Sequence, residues 1–471
     1  MRRTILSLLL ATVAAPGGAA EIIPTATSHH VVQTAAGPLA YEAVFEQHLL
    51  TGADGKPAAT ISTTAYLRDG VATPASRPVF FLFNGGPGAS SSPLQFEAMG
   101  PRLKTPQGMV DNPDTPLDRA DLVFIDPVGT GFSRVLPDGD GHRFWSIDGD
   151  AAATLETIRG WIEAHHRECS PIYIGGESYG GTRLAAMLPA ARDLPLAGLL
   201  LVSPALSYGG DDNLAAVLAL PSMAIAAAAN GKVAAHLSVN PTLFDEAARF
   251  ATGDYAHALM LGSSLPAADA ARIAARTSAL IGIPAATLLA DHLRIDVETF
   301  RAALRHDDGL VVGRLDSRVT APIPAAAPDR PSAANDPALG LGRSNVIVSK
   351  PIGDYLRGEL GVRSDEDYVS LTLDVNFQWR WPSVEGSDTP PDLLHDLSDA
   401  MRDHPQLRMV VVGGYYDLAV PLLGSRYALD RAWLPADRAR LVALDAGHAA
   451  LEGEQGRRRM HAIMASLLPI H

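Results

Sequence analysis

Residues 171–181 read Pro171-Ile172-Tyr173-Ile174-Gly175-Gly176-Glu177-Ser178-Tyr179-Gly180-Gly181. An apolar run leads into a Gly-x-Ser-x-Gly motif, and residues 182–188 then have the composition of a helix. A strand, a sharp turn and a helix in this order are typical of a nucleophile elbow, where glycines flank the serine because side chains there would clash. A five-residue match also arises by chance in glycine-rich loops, but the flanking strand and helix favour the elbow. The sequence therefore predicts Ser178 as a nucleophile at the end of a buried strand.

Strand-like and helix-like segments alternate through the first half of the chain. Continuous apolar runs, which are expected of strands covered on both faces, occur at 78–83, 120–126, 171–175 and 196–203. Between Ser146 and His166, apolar residues recur at helical spacing, with Ser146 or Asp148 as the N-cap. Two β-like runs at 40–50 and 60–68 flank a glycine-containing turn, which predicts a hairpin. The alternation predicts a mostly parallel central sheet with helices on both faces, and the nucleophile elbow within it indicates an α/β-hydrolase type of fold.

The composition of the chain changes after about residue 207. The following segment is Ala-rich and helical in pattern, with few strand-like runs, and it closes in a Pro- and Ala-rich stretch at 321–331. Such a segment predicts a helical cap inserted into the sheet domain. We therefore expect four parts, namely a signal peptide at 1–20, the first part of the core at 21–207, the cap at 208–345 and the second part of the core at 346–471.

The chain begins with a basic end, Met1-Arg2-Arg3-Thr4, and an apolar run at 5–15 that is too short to span a bilayer. Small residues precede Glu21, so the pattern predicts a secretory signal cleaved near Ala20 and a periplasmic or secreted protein. An ordinary N-terminal helix is the alternative, and Arg2-Arg3 is also compatible with a twin-arginine signal. The single cysteine, Cys169, excludes an intrachain disulfide.

Composition and charge exclude several classes of protein. The 471 residues are 47% hydrophobic and 19% charged, which allows a large core. The formal net charge of −14 opposes binding to nucleic acid or to anionic membranes. Because Pro221 interrupts the apolar residues 214–229, we expect no stable membrane insertion. The sequence has no His-Glu-x-x-His run and no Cys/His cluster at ligand spacing, so no metal or other cofactor is expected.

A serine hydroxyl is a weak nucleophile near neutral pH and needs a base that a carboxylate orients. In α/β-hydrolases the acid and then the histidine follow the serine, each in a loop after a late strand. Asp417 follows a strand-like run that ends at Gly414, and His448 follows one that ends at Leu444. This order predicts a catalytic triad of Ser178, Asp417 and His448.

Other residues compete for the two later positions. Asp445 is an alternative acid, but it lies only three residues before His448. A capping or loop role is the alternative for His448 itself. Among the other histidines, His165 and His166 fit a solvated helix end, and His461 fits a terminal helix face. None of these three combines a late position, a preceding buried strand and a glycine-flanked turn.

Six motifs follow one another between residues 84 and 448. They are Asn84-Gly85-Gly86-Pro87-Gly88-Ala89-Ser90-Ser91, Phe96-Glu97-Ala98-Met99-Gly100-Pro101, Asp126-Pro127-Val128-Gly129-Thr130-Gly131-Phe132-Ser133, Gly176-Glu177-Ser178-Tyr179-Gly180-Gly181, Gly414-Tyr415-Tyr416-Asp417 and Ala446-Gly447-His448. In these motifs the sequence resembles the serine carboxypeptidase family, in the form seen in its bacterial members. It departs from the family at Ala89, where many members have cysteine, and at Ala449-Ala450, where an apolar residue and proline are common. The cap matches nothing specific.

The resemblance implies roles for further residues. It implies that the backbone N–H groups of Gly86 and Tyr179 form an oxyanion hole, and the residue after the nucleophile is the expected second donor. It also implies that a peptide's free C-terminal carboxylate is bound by Asn84, Gly85, Glu97 and Glu177. Two nearby carboxyl groups cannot easily both ionise, so one keeps a proton and donates a hydrogen bond to the anionic substrate. Because that proton is lost as the pH rises, we expect activity to be favoured at acidic pH.

The resemblance thus implies an exported serine-type carboxypeptidase that acts on peptides with a free C-terminus through an acyl-enzyme. An esterase or acyltransferase with the same triad is an alternative, because one fold supports several reactions. A non-catalytic exported binding protein is a third alternative, against which the complete set of Ser, His and Asp argues. The aromatic stretch Asn376-Phe377-Gln378-Trp379-Arg380-Trp381 forms either a packing segment or part of the pocket wall.

Overall fold

A computed structural model of the chain describes residues 22–52, 54–206, 211–237, 239, 241–324, 332–342, 344–381 and 393–468. The predicted signal peptide and most of the predicted Pro/Ala linker lie outside the described residues. The strands are β1 (Ala26–Thr34), β2 (Gly37–Thr51), β3 (Pro57–Arg68), β4 (Val79–Phe83), β5 (Arg102–Thr105), β6 (Gly108–Asp111), β7 (Asp121–Asp126), β8 (Ile172–Glu177), β9 (Leu196–Val202), β10 (Leu310–Val312), β11 (Thr320–Pro322), β12 (Val346–Val348), β13 (Val369–Thr372), β14 (Arg408–Gly414) and β15 (Ala439–Leu444).

The α-helices begin after β7 and lie between and after the later strands. The α-helices are α1 (Ile147–Ala164), α2 (Tyr179–Met187), α3 (Asp212–Ala229), α4 (Pro241–Phe250), α5 (Ala256–Leu261), α6 (Ala267–Ile281), α7 (Ala285–Ala290), α8 (Val297–Ala303), α9 (Lys350–Gly358), α10 (Leu373–Phe377), α11 (Leu394–Asp403), α12 (Leu422–Arg431) and α13 (Gly453–Leu467). A π-helical turn, Leu94–Met99, follows β4.

The main sheet has nine strands in the order β1-β2-β3-β7-β4-β8-β9-β14-β15. The six strands from β7 to β15 in this order are parallel to one another. The first three strands are antiparallel and extend the sheet at one edge. Because the carboxyl ends of parallel strands meet at one edge, the loops after β4, β8, β14 and β15 all open there.

The hydrophobic core lies on both faces of this sheet, as the side chains of β4 illustrate. Phe81 and Phe83 contribute to a buried cluster with α1, α2 and α11. Phe80 and Leu82 point to the other face and contribute to a buried cluster with α9 and α13. A strand buried on both faces needs apolar residues at every position, which is why β4 reads as one continuous apolar run. The predicted α/β-hydrolase type of fold is confirmed.

Local predictions for the first half of the chain are also confirmed, although the sequence did not predict β1, β5 or β6. Strands β2 and β3 form the antiparallel hairpin. Ser146, rather than Asp148, caps α1, because its side chain accepts a hydrogen bond from Gly149 N at 3.2 Å. The sequence did not predict β1, an edge strand whose residues are mostly half-buried or exposed, because it lacks the apolar signature of an inner strand.

Helices α3 to α8 lie between β9 and β14 in the chain and share a separate buried cluster with α12. Helix α3 has the length and hydropathy of a membrane span, and 61% of it is buried inside the protein. Its neighbours in that cluster include α4 and α6. The boundaries of the predicted cap, 208–345, stay a prediction.

Trp161→Ala is expected to lower the free energy of unfolding by about 3–5 kcal/mol, because it removes a large buried side chain and leaves a cavity. Trp161 is fully buried, and its ring packs edge-on against Phe81 with centroids 5.5 Å apart. The matched control is Trp433→Ala, since Trp433 is 93% exposed, and it should change the value by less than about 0.5 kcal/mol. Urea titration measures the free energy of unfolding of both variants. Similar losses for the two would contradict this packing.

Candidate active site

Ser178 lies in the sharp turn between β8 and α2. Its backbone has φ 59° and ψ −125°, a conformation that residues other than glycine rarely adopt. Hydrogen bonds hold it there, from Ser178 N to Val202 O at 2.9 Å and from Ala205 N to Ser178 O at 3.1 Å. A Cβ atom at Gly176 would lie 2.3 Å from Gly180 O, so the turn requires glycine at that position. The structure therefore has the strained serine turn of a nucleophile elbow.

The predicted acid and base lie in contact after β14 and β15. His448 Nδ1 and Asp417 Oδ2 are 2.7 Å apart, and Asp417 is fully buried. The other carboxylate oxygen of Asp417 accepts hydrogen bonds from Ala419 N at 2.8 Å and Val420 N at 2.9 Å. These contacts fix the carboxylate, which in turn orients the imidazole ring. Asp445, the alternative acid, instead makes a side-chain hydrogen bond with Tyr416.

The electrostatic environment of His448 favours its protonated form. Burial lowers the pKa of His448, but the charge of Asp417 and the hydrogen bond to it raise the pKa by more, so it lies above its ordinary value. A base in this environment is stabilised when it takes up a proton. His448 and Ser178 line the same cavity, whose volume is about 2020 Å³.

A segment at 314–318, which lies within the predicted cap, packs against both of these loops. Leu315 O accepts a hydrogen bond from His448 N at 2.7 Å. Arg314 O accepts one from Leu418 N, the residue after Asp417 in the chain, at 3.0 Å. The acid and the histidine are thus held at their backbones by a part of the chain about a hundred residues earlier.

Asp336 fixes this segment in turn. Its carboxylate is buried and accepts hydrogen bonds from Arg314 N at 3.0 Å and Leu315 N at 2.9 Å. It also accepts one from Ala338 N at 3.0 Å. No motif in the sequence marks Asp336, because its role depends on contacts with residues 314 and 315, which are formed only in the folded chain.

The glycine-rich loop after β4 lies directly against the elbow. A Cβ atom at Gly85 would lie 2.5 Å from the backbone nitrogens of Tyr179 and Gly180, so no other residue fits. Gly86 has φ +99°, which also favours glycine. This approach brings Gly86 and Tyr179, the predicted oxyanion donors, to the same edge of the sheet, and both line the cavity.

Arg183, which the sequence analysis did not single out, connects this loop to the core. It is buried on α2, and its guanidinium donates to Asp150 Oδ2 at 2.6 Å and to Asn84 O at 2.5 Å. The guanidinium also lies over the rings of Phe83 and Tyr179. Burial raises the pKa of Asp150, an effect that the charge of Arg183 opposes. A lone arginine in an otherwise apolar helix was the only signal for this role.

Glu177 and Asn84 form a buried polar pair beside the nucleophile. Asn84 Nδ2 donates to Glu177 Oε1 at 2.8 Å, while Asn84 Oδ1 accepts from Leu94 N at 3.2 Å. Burial is the main reason that the pKa of Glu177 is raised to about 7; the charge of His448 opposes this shift. Glu177 is therefore largely protonated below neutral pH.

Glu97 has two partners that the sequence analysis missed. Lys104 Nζ, on β5, lies 2.5 Å from Glu97 Oε1. Glu452, immediately before α13, forms a carboxyl–carboxyl hydrogen bond with Glu97. Burial, followed by the charges of Glu97 and Glu177, raises the pKa of Glu452 well above its ordinary value. Glu97 and Glu177 line one cavity as predicted, but the carboxyl group that is hydrogen-bonded to Glu97 belongs to Glu452.

The aromatic stretch at 376–381 contributes both to packing and to the cavity wall, the two alternatives that the sequence left open. Trp379 is buried and packs edge-on against the ring of Tyr179, with centroids 5.0 Å apart. Phe377 and Trp381 line the cavity. Within the described ranges, no group of three His, Cys, Asp or Glu side chains is arranged to hold a metal ion.

The doubly covered parallel sheet and the strained serine turn, with a His–Asp pair after the last two strands, define the class of this protein as an α/β-hydrolase. Residues 66–190 match the sequence model of the serine carboxypeptidase family. They include the glycine-rich loop, the elbow and Glu97. Over these residues the chain is similar to the serine carboxypeptidases.

Two known proteins are similar in sequence over part of the chain. The pheromone-processing carboxypeptidase KEX1 of Blastomyces gilchristii is 34% identical over 113 residues, which cover 23% of this chain and 17% of that protein. Serine carboxypeptidase-like 36 of Arabidopsis thaliana is 30% identical over 149 residues, which cover 29% of this chain and 30% of that protein. The chain thus spans less than a third of the length of either relative.

A solved structure is similar over most of the chain. The crystal structure of Kex1(delta)p, a prohormone-processing carboxypeptidase from Saccharomyces cerevisiae, matches with a TM-score of 0.57 and 15% sequence identity. The match covers 91% of this chain and 90% of that one. At this identity the likeness shows that the two chains share a fold.

Glu177→Gln is expected to remove a pH dependence of stability. The pKa of Glu177 is about 7 in the folded chain against an ordinary value of 4.5. Between these values the folded chain binds more protons than the unfolded chain, so stability falls as the pH rises from about 4.5 to about 7. The raised pKa corresponds to a loss of roughly 3 kcal/mol over this window.

Urea titrations of the wild type and Glu177→Gln at pH 4.5 and pH 7.5 measure this effect. The wild type should lose stability relative to the variant between the two pH values. The control is Glu156→Gln, which removes an exposed glutamate on α1. This variant should show the same difference in stability between pH 4.5 and pH 7.5 as the wild type. If the free energy of unfolding of Glu177→Gln changes between the two pH values by as much as that of the wild type, Glu177 is not held protonated.

Proposed function

We propose that this protein is a serine-type carboxypeptidase that releases the C-terminal residue of peptides. The observation that carries the proposal is the protonatable Glu177, held by Asn84 in the same cavity as Ser178 and His448. A carboxyl group that stays neutral below pH 7 binds a carboxylate by donating a hydrogen bond, which a site for uncharged esters does not need. The family match of residues 66–190 supports the same activity.

In the proposed reaction, Ser178 Oγ attacks the carbonyl carbon of the last peptide bond while His448 Nε2 accepts the hydroxyl proton. Asp417 keeps the imidazole ring in place and stabilises its positive charge. The N–H groups of Gly86 and Tyr179 bind the negative oxygen of the tetrahedral intermediate. His448 then donates its proton to the leaving amine, and the C-terminal residue departs. Water, activated by His448, releases the shortened peptide from Ser178.

The proposed carboxylate site consists of Asn84, Gly85, Glu97 and Glu177. Below about pH 7, Glu177 carries a proton and donates it in a hydrogen bond to the substrate carboxylate. Above this pH, Glu177 becomes negative and repels the substrate. Binding of peptides with a free C-terminus is therefore expected to weaken as the pH rises, and the reaction is favoured at acidic pH.

Two further parts of the proposal concern the chain outside the site. We propose that residues 1–20 are a signal peptide and that the mature protein works in the periplasm or outside the cell. We also propose that residues 208–345 form a cap over the cavity, in which case the side-chain preference of the enzyme depends partly on them. Leu214 and Leu218 of α3 and Pro241 of α4 line the cavity.

Mass spectrometry of a digested peptide pool tests the proposed activity. At pH 6 the wild type should remove C-terminal residues stepwise, because Glu177 is protonated there while a larger part of His448 than at pH 5 is neutral and able to accept the proton of Ser178. C-terminally amidated copies of the same peptides should be cleaved at least about tenfold more slowly, because they lack the charge that the site binds. Ser178→Ala should leave the whole pool intact.

A fluorophosphonate probe, which reacts with activated serines, separates the alternatives. Labelling of the wild type together with an intact peptide pool would overturn the carboxypeptidase proposal and favour an esterase or acyltransferase. The absence of both labelling and cleavage would overturn catalysis itself and favour a binding protein.

A further inference from the structure

Glu97, a member of the proposed carboxylate site, is hydrogen-bonded to ionisable side chains from two other elements. It lies on the π-helical turn Leu94–Met99, half-buried at the cavity wall. Lys104 reaches it from β5, and Glu452 reaches it from the residue before α13. All three side chains line the cavity that contains Ser178.

Lys104 supplies a positive charge at this wall. Its Nζ lies 2.5 Å from Glu97 Oε1, and its side chain is 35% exposed. The hairpin of β5 and β6 places the lysine there. An ammonium group at this distance compensates the negative charge that Glu97 would otherwise present to an anionic substrate.

Glu452 is oriented toward the cavity rather than toward its own helix. It occupies the N-cap position of α13, where a carboxylate normally accepts a backbone N–H, but its side chain makes no such bond. Instead it shares a hydrogen bond with the carboxyl group of Glu97. Two carboxyl groups form a hydrogen bond only when one of them carries a proton. Burial raises the pKa of Glu452, which favours a proton on this pair.

Charged and titratable groups face this cluster from each neighbouring element. They are Lys104 on β5, Glu177 at the end of β8, His448 after β15 and Arg457 on α13, while Glu454 and Arg459 of α13 line the same cavity. With Glu177 and Glu452 protonated and Glu97 matched by Lys104, the wall of the cavity carries little net negative charge. A substrate carboxylate is then accepted without repulsion.

We propose that Lys104 and Glu452 complete the binding site for the free C-terminal carboxylate, Lys104 by cancelling the charge of Glu97 and Glu452 by keeping a proton between the two carboxyl groups. This inference rests on the proposed carboxypeptidase function. Together the two residues set the highest pH at which a peptide with a free C-terminus still binds.

The test is KM for one peptide, as free acid and as amide, between pH 5 and pH 8. Lys104→Met should raise KM for the free acid about tenfold at pH 7, because the charge of Glu97 is then unmatched. The increase should be smaller at pH 5, where protonated Glu177 offsets the loss. KM for the amide and kcat should change less than about twofold.

Glu452→Gln should have the opposite effect. A glutamine amide donates a hydrogen bond to Glu97 at every pH and cannot become negative. KM for the free acid should therefore rise less steeply between pH 6 and pH 8 than in the wild type, reaching about a tenth of the wild-type value at pH 8. The matched controls are Lys56→Met, which breaks an exposed Lys–Asp pair elsewhere, and Glu156→Gln.

The outcomes separate this inference from the proposed function. If the wild type does not distinguish free acid from amide, the carboxypeptidase proposal fails and this inference fails with it. If the wild type does distinguish them but both variants behave like their controls, only the roles of Lys104 and Glu452 are overturned. Equal changes in KM for acid and amide would also overturn them. Because Lys104 is partly exposed, Lys104→Met is expected to fold. This variant therefore tests the inference by itself if Glu452→Gln fails to fold.

Discussion

The backbone contact between the loop at 84–86 and the first turn of α2 is the constraint on which the rest of the site depends. Gly85 has no space for a Cβ atom, because the nitrogens of Tyr179 and Gly180 lie 2.5 Å from where it would be. Strands β4 and β8 are hydrogen-bonded neighbours, with Phe83 opposite Gly176, so their ends lie side by side. The buried guanidinium of Arg183 then ties the loop to α1 and α2. The predicted nucleophile, the predicted backbone donors and Asn84 all lie at this one contact.

The remaining groups arrive at the same edge because the strands that deliver them are parallel. Asp417 and His448 lie in the loops that follow the neighbouring parallel strands β14 and β15. The segment at 314–318 holds both loops by backbone hydrogen bonds. A part of the predicted cap therefore holds the loop of the predicted base and also lines the cavity. The wall of the cavity and the geometry of the His–Asp pair are therefore connected, since a shift of the segment at 314–318 would move His448.

The sequence was informative where a residue's role follows from its place at the end of a strand. Ser178, Asp417 and His448 each follow an apolar run, and the order of such runs limits the possible folds. It was uninformative for Lys104, Arg183, Asp336 and Glu452, whose partners lie far away in the chain. A lysine on a short strand or a glutamate before a helix has many ordinary explanations, and only the tertiary contacts distinguish them. Strand β1 was missed for a related reason, because an exposed edge strand lacks an apolar run.

The central claim is that the cavity recognises a free C-terminal carboxylate through a protonated glutamate. Isothermal titration of Ser178→Ala with one uncleaved peptide, as free acid and as amide, tests it without catalysis. The account predicts that the free acid binds at least about tenfold more tightly at pH 5 and that this advantage shrinks toward pH 8 as Glu177 ionises. Equal affinities for acid and amide at pH 5 would contradict it.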